Sequence, residues 1–162
     1  MTKREKILVG MAIGALWALA VVALPSLVPS SVFVPLNVAI IVGLLPGGLF
    51  LLLVIGRLAQ RRFFDDDIID GEPFVAGSDA DIDQRVLTNT IEQLVLAVVT
   101  WPFVGVVLGG VAVIALGIGF GIARMAFWIG YHQSPPLRAF GFAASFYPTI
   151  AASVWSVLVW FV

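Results

Sequence analysis

The chain has 162 residues, of which 60% are hydrophobic and 12% charged, with a formal net charge of −1 and no cysteine. That balance excludes a soluble domain and offers no basic patch large enough for nucleic acid. The missing cysteines exclude disulfides, catalysis by a protein thiolate and cysteine metal sites, so any thiol chemistry must arrive with a ligand.

No charge falls between Lys6 and Arg57, between Glu92 and Arg124, or after Arg138. Apolar runs beyond about 18 residues read as transmembrane helices. Five spans are predicted, all α-helical. The first, 7–27, follows Lys3, Arg4 and Lys6. It has the basic start of a signal peptide, but its apolar core exceeds the usual length of about 7–15 residues and lacks a small-x-small cleavage site. Pro25, Pro29 and Pro35 with Ser26, Ser30 and Ser31 supply a turn. The second span, 36–60, carries Pro46-Gly47-Gly48, read as a kink that neighbouring helices accommodate rather than as a broken helix.

A loop over 63–82 follows, holding Asp65, Asp66, Asp67, Asp70, Glu72, Asp79 and Asp81, with Asp83 just beyond. It lacks the ligand spacing of a calcium-binding loop and reads as a solvated connector. Phe63, Phe64, Ile68 and Ile69 alternate with the acids and suit a membrane surface. The third and fourth spans, 83–104 and 108–131, are separated near Trp101-Pro102 to Gly110. Gly110, Gly117 and Gly121 on the fourth invite close approach of another helix. A loop over 132–137 leads to the last span, 138–160. The five tryptophans read as interfacial anchors and packing, and His132 as a solvated loop residue that is not part of a metal site.

Basic residues sit at the N-terminus, at the end of the second span, and around 124–138. The positive-inside rule therefore places the N-terminus and the 63–82 and 132–137 loops in the cytoplasm, with the C-terminus outside. Residues 1–31 form an additional N-terminal span, and 32–162 the main membrane domain.

Within the spans, Arg85, Asn89 and Glu92 fall at i, i+4 and i+7 and share one helical face; Arg124, Phe127 and Tyr131 lie at i, i+3 and i+7 on the next. A short turn between antiparallel spans is expected to bring Arg85 and Arg124 to one depth, with Arg138 near them. An ionisable side chain costs about 2.5–3.5 kcal/mol at the centre of a spanning helix on insertion scales, so each asks for a partner or a role. One reading is an internal network in which Glu92 pairs with one arginine and the others reach the interface. It leaves two positive charges unpartnered, which a bound anion would supply. Arg85 to Glu92 covers about 10 Å along the axis, close to the length of an extended tripeptide.

Arg85-x-x-x-Asn89-x-x-Glu92, together with Ala123-Arg124 through Gly130-Tyr131 to Pro136-Leu137-Arg138, resembles the MAPEG family (membrane-associated proteins of eicosanoid and glutathione metabolism), in a bacterial-type form. The resemblance covers roughly 36–160. It implies a four-helix membrane bundle, here with one additional N-terminal helix, assembled as a homotrimer that binds glutathione between subunits on the cytoplasmic side. By motif position Arg85, Asn89, Glu92 and Gln93 would hold the peptide, while Arg124, Phe127 and Tyr131 line the other wall. Arg138 matches the arginine that stabilises the glutathione thiolate. Phe127 and Gln93 stand where some glutathione-using members carry tyrosines. The implied function is a glutathione-dependent transferase or peroxidase acting on lipophilic electrophiles or hydroperoxides from membrane lipid. A non-catalytic lipid-binding scaffold of the same fold, or a small transporter, remains the alternative.

Overall fold

The structure, a computed structural model, describes residues 2–29 and 31–162, so Ser30 of the expected Pro/Ser turn lies outside the described residues. These form five α-helices and no strand: α1 (Lys3–Ala23), α2 (Leu36–Phe63), α3 (Asp79–Leu108), α4 (Gly110–Gln133) and α5 (Pro135–Trp160). A 3-10 turn over Leu24–Leu27 prolongs α1. All five are long and apolar enough to cross a bilayer, and the chain is a multi-pass integral membrane protein.

Three joints differ from the sequence expectation. Helix α3 runs through Trp101 and Pro102 to Leu108, and Gly109 alone, at φ +88°, turns the chain into α4. That left-handed conformation suits glycine, which needs no Cβ clearance. The expected 132–137 loop is reduced to Ser134, because α4 continues to Gln133 and Pro135 opens α5 with a preset φ. The acidic connector shrinks to 64–78: Ser78 caps α3 by accepting from the Asp81 amide, which places Asp79 and Asp81 in the first helical turn. Helix α2 is continuous through Pro46, in keeping with a tolerated proline.

Close contacts give the packing. Gly10 and Gly14 of α1 meet Pro136, Ala143 and Ala144, so α1 lies parallel to α5. Gly117 sits directly on the backbone of Gly43, Gly121 on Pro46, and Gly110 on Val34 and Ala39, making α2 parallel to α4. Gly130 and Gly141 let α4 and α5 cross at Arg138 and Phe127. Between membrane helices van der Waals contact replaces the hydrophobic effect as the driving force, so these small residues set the bundle's spacing. The larger apolar cluster draws on all five helices and mostly on α3 and α4, with Trp101 edge-on to Phe120 at 6.1 Å and its Nε1 donating to Thr149 Oγ1 at 3.3 Å.

The loop-bearing end is closed by charge. Asp83 is fully buried and accepts from Arg61 Nε of α2 at 2.7 Å and Trp128 Nε1 of α4 at 2.6 Å, with His132 Nε2 at 2.9 Å. Arg61 and His132 also face Asp79, each at 3.5 Å. The loop folds over this end as Arg62 donates to the carbonyls of Ile68 and Glu72 and stacks on Phe74 at 4.2 Å. Ile68 is buried beneath it, while Phe63, Phe64 and Ile69 are exposed.

Two expectations follow for thermal melting of the detergent-solubilised chain. Asp83→Asn should destabilise it by about 1–3 kcal/mol, since it removes the charge and puts a donor in place of one of the two acceptor oxygens that tie α3 to α2 and α4. Asp79→Asn, at a side chain 66% exposed, should cost well under half as much. Equal effects would mean that Asp83 is not the tie. Gly117→Leu should lower the melting temperature by forcing α4 off the Gly43 backbone, whereas Gly56→Leu, with open space around its Cβ position, should leave it nearly unchanged.

Candidate functional site

Helix α3 presents two faces. Its buried stripe runs through Val86, Thr90, Gln93, Ala97 and Trp101. Arg85, Thr88 and Glu92 are exposed on another face, and Asn89 lies partly buried between them. The i, i+4, i+7 face expected from the sequence is therefore present. Its exposed carboxylate is flanked by the exposed apolar residues Ile91 and Val95.

Asn89 joins that face to the interior. Its Nδ2 donates to Glu92 Oε2 at 3.3 Å, and its Oδ1 accepts from Arg124 Nη1 at 2.9 Å. Arg124 is fully buried, and its Nη2 reaches Ser145 Oγ and the Gly141 carbonyl on α5. Its guanidinium lies 4.3 Å from the Phe127 ring centre and 5.5 Å from that of Phe120. A desolvated cation over an aromatic face gains about 2 kcal/mol, part of what a buried charge needs. No carboxylate lies within ion-pair distance of Arg124, Arg138 or Arg57 among the described residues.

The aromatic contacts extend this cluster toward Arg138. Phe127 meets Tyr131 edge-on at 5.1 Å, and the Arg138 guanidinium covers the Tyr131 ring at 4.9 Å. Arg138 and Tyr131 are both partly exposed. Two edge-to-face rings thus lie between the buried Arg124 and the accessible Arg138.

The structure thus links Asn89, Glu92, Arg124, Phe127, Tyr131 and Arg138, and sets two expected residues apart. Arg85 stands a helical turn before Asn89 and pairs with Asp81 at 2.8 Å. Arg124 lies level with Asn89 rather than with Arg85, a difference of about 6 Å along the axis. Gln93 is on the buried stripe, 6% exposed, and both its amide atoms lack a partner among the described residues. One residue round the helix from Glu92 is about 100°, enough to turn it inward.

Three further residues were given no part in the site from the sequence. Ser145 anchors Arg124, and its signal was present: Ser145, Thr149, Ser153 and Ser156 fall on one face of the last span. Asp83 was counted with the loop acids. His132, expected as a solvated loop residue, is instead tied to Asp83 at the end of α4. An i, i+4 pair of acids, Asp79 and Asp83, beginning a span opposite Arg61 was its signal.

Comparison with curated proteins and with solved structures gives no significant match. The sequence model of the MAPEG family matches residues 35–158, which takes in α2 to α4, all but the last two residues of α5 and every site residue above, while leaving α1 outside. The chain is a member of the MAPEG family.

Proposed function

We propose that the protein is a glutathione-dependent membrane transferase or peroxidase, working as a homotrimer whose site opens to the cytoplasm. Family membership supports glutathione-related chemistry in general. The observation that carries the finer reading is the pairing of an exposed carboxylate, Glu92, with no cationic partner among the described residues, and an accessible arginine, Arg138, with no carboxylate partner among them. Glu92 suits the α-amino group of the tripeptide, and Asn89 its amides. Arg85 stands on the same face, within reach of a terminal carboxylate if it leaves Asp81. A second subunit over the exposed polar strip of α3 would remove its charges from lipid.

The chemistry needs a thiolate. A free thiol has a pKa near about 8.5, so only a few per cent is ionised at pH 7. A poorly hydrated guanidinium favours the anion and cannot give up its own proton. Lowering the thiol pKa by about two units requires about 2.7 kcal/mol of preferential stabilisation, within the reach of one close charge. The ring of Tyr131 under Arg138 holds that guanidinium without neutralising it, as a carboxylate would. The sulfur then attacks an electrophilic carbon, displacing its leaving group, or the terminal oxygen of a hydroperoxide. The second attack breaks the O–O bond to release an alkoxide that is protonated to the alcohol, and leaves a glutathione sulfenic acid that a second glutathione converts to the disulfide and water.

An apolar groove of about 400 Å³ between α2 and α4, lined by Pro46, Leu49, Phe50, Ile118, Ile122 and Met125 among others, offers a lipophilic molecule a seat. The same groove favours the second reading, a lipid-binding scaffold without catalysis. A transporter is less well supported, because its expected broken helix is the continuous α2.

Thiolate difference absorbance of the full chain in detergent, titrated with glutathione at neutral pH, tests the assignment. A saturable signal is expected. Arg138→Ala should abolish it while changing affinity by less than about threefold, and Glu92→Ala should weaken affinity by about tenfold or more, as expected for one charge-assisted hydrogen bond. A full thiolate signal in Arg138→Ala sinks the role of that arginine. No signal from the wild type, with no thermal shift by glutathione, leaves the lipid scaffold.

A further inference from the structure

The amide of Asn89 sits between two groups with opposite demands. Arg124 has only donors, so the atom of Asn89 facing it is Oδ1. The Glu92 carboxylate has only acceptors, so the atom facing it is Nδ2. Both neighbours select one orientation of the same planar group, and a flipped amide would set donor on donor and acceptor on acceptor.

Arg124 does not reach the exposed face itself. It is fully buried, its hydrogen bonds go to Asn89, Gly141 and Ser145, and its remaining nitrogen, Nε, is buried without a partner among the described residues. Helix α5 decides where it lies. The Ser145 hydroxyl is within donating distance of the carbonyls of Gly141 and Phe142, both at 3.0 Å, which leaves an oxygen lone pair for Nη2. Phe127 covers the guanidinium on one side, and Gly141 crosses against the Phe127 backbone, where any side chain would push α5 away.

We propose that Arg124 is a positioning residue, held by Ser145 and Gly141 of α5, that fixes the Asn89 amide and so points its donor side toward Glu92 and the ligand. The ligand's identity rests on the glutathione reading; the relay from Ser145 through Arg124 and Asn89 to Glu92 does not. It changes the part expected of Arg124, from a wall that touches the peptide to a support acting through Asn89. A lysine cannot replace it, since a single ammonium cannot span Asn89 and two acceptors on α5 in the geometry of a planar fork.

The chain contains two asparagines, Asn37 and Asn89, so labelling with ¹⁵N-asparagine yields two side-chain amide pairs in an NMR spectrum. Asn37, near the start of α2, is the internal control. In the ligand-free full chain in detergent, Asn89→Ala identifies its pair by loss. Arg124→Lys and Ser145→Ala are each expected to shift the Asn89 pair and leave Asn37 in place, and Ser145→Thr, which keeps the hydroxyl, to restore the original position. An Asn89 pair indifferent to both changes overturns the relay. If Arg124→Lys does not fold, Ser145→Ala and Ser145→Thr decide the matter alone. In glutathione titrations followed by calorimetry, Arg124→Lys should weaken affinity about tenfold in the presence of Asn89 and less than about twofold in an Asn89→Ala background. Losses of equal size in both backgrounds would make Arg124 a direct ligand contact and overturn the proposal. A wild-type spectrum untouched by glutathione would sink the ligand assignment, while the ligand-free comparison still decides the relay.

Discussion

Burying a guanidinium inside a membrane bundle without a carboxylate is the constraint around which this structure is arranged. A buried charge unpaired in low dielectric is expensive, and an arginine cannot escape by losing its proton. Arg124 has no counter-ion within ion-pair distance among the described residues. It is instead surrounded by partial charges: an amide oxygen from α3, a hydroxyl and a carbonyl from α5, and two aromatic faces from its own helix. The solution requires three helices at fixed separations. A carboxylate partner would have neutralised the charge locally, and α5 would then not have been needed to hold it.

Those separations come from residues that lack side chains. Gly141 brings α5 against α4 beside Phe127, and Gly130 does the same one turn further on at Arg138. Both crossings flank the arginines of the candidate site, so the spacing that packs the helices also sets where the guanidinium groups lie. On the other side of α4, Gly117 and Gly43 meet backbone to backbone. Helix α4 is consequently the most enclosed of the five, clamped by α2 and α5. At the loop end the same three-helix problem recurs with inverted sign: a buried carboxylate, Asp83, is served by donors from α2 and α4. Here a cation is present, because Arg61 lies near the end of its helix and keeps some contact with water, as the His132 ring beside it does.

Much of this was legible in the sequence, because hydropathy and charge spacing are local. The five spans, the small-residue contacts of α4, and the shared face of Arg85, Asn89 and Glu92 follow from counting along one helix. What could not be counted was register between helices. Equal steps outward from Gly109 set Asn89 opposite Ile129 and Asp83 opposite Pro135, yet they bond Arg124 and Trp128. Tilted helices do not keep residue-for-residue register, so the interhelical partners of Asn89 and Asp83 were not accessible from spacing, while the i,i+4 pair of Asp81 and Arg85 was hidden because 79–82 read as loop. Gln93 shows the other limit. Its neighbour Glu92 is exposed, and only the placement of α4 and α5 decides that the buried stripe passes through Gln93. The joints were shorter than expected for a similar reason: Gly109 and Ser134 each suffice once the helices they join are packed.

Helix α1 shows how an element can be added without disturbing such a site. It lies outside the stretch that the family covers, and it packs on α5, with lesser contact to α4 and none to α2 or α3 among the described residues. Its glycines take the Ala143 and Ala144 face of α5, while Gly141 and Ser145 face α4 and Arg124. Covering the far side of α5 leaves the exposed strip of α3 and its apolar groove with α2, lined by Leu44, Leu51, Ile91 and Val98, uncovered. Any second subunit that shields Glu92 must come from that direction, so the added helix and the proposed assembly do not compete for the same surface. Packing α1 against the back of α5 also backs the helix that holds Arg124. The extra span is therefore placed where it can stiffen the arginine's support and cannot block the face on which a ligand would be held.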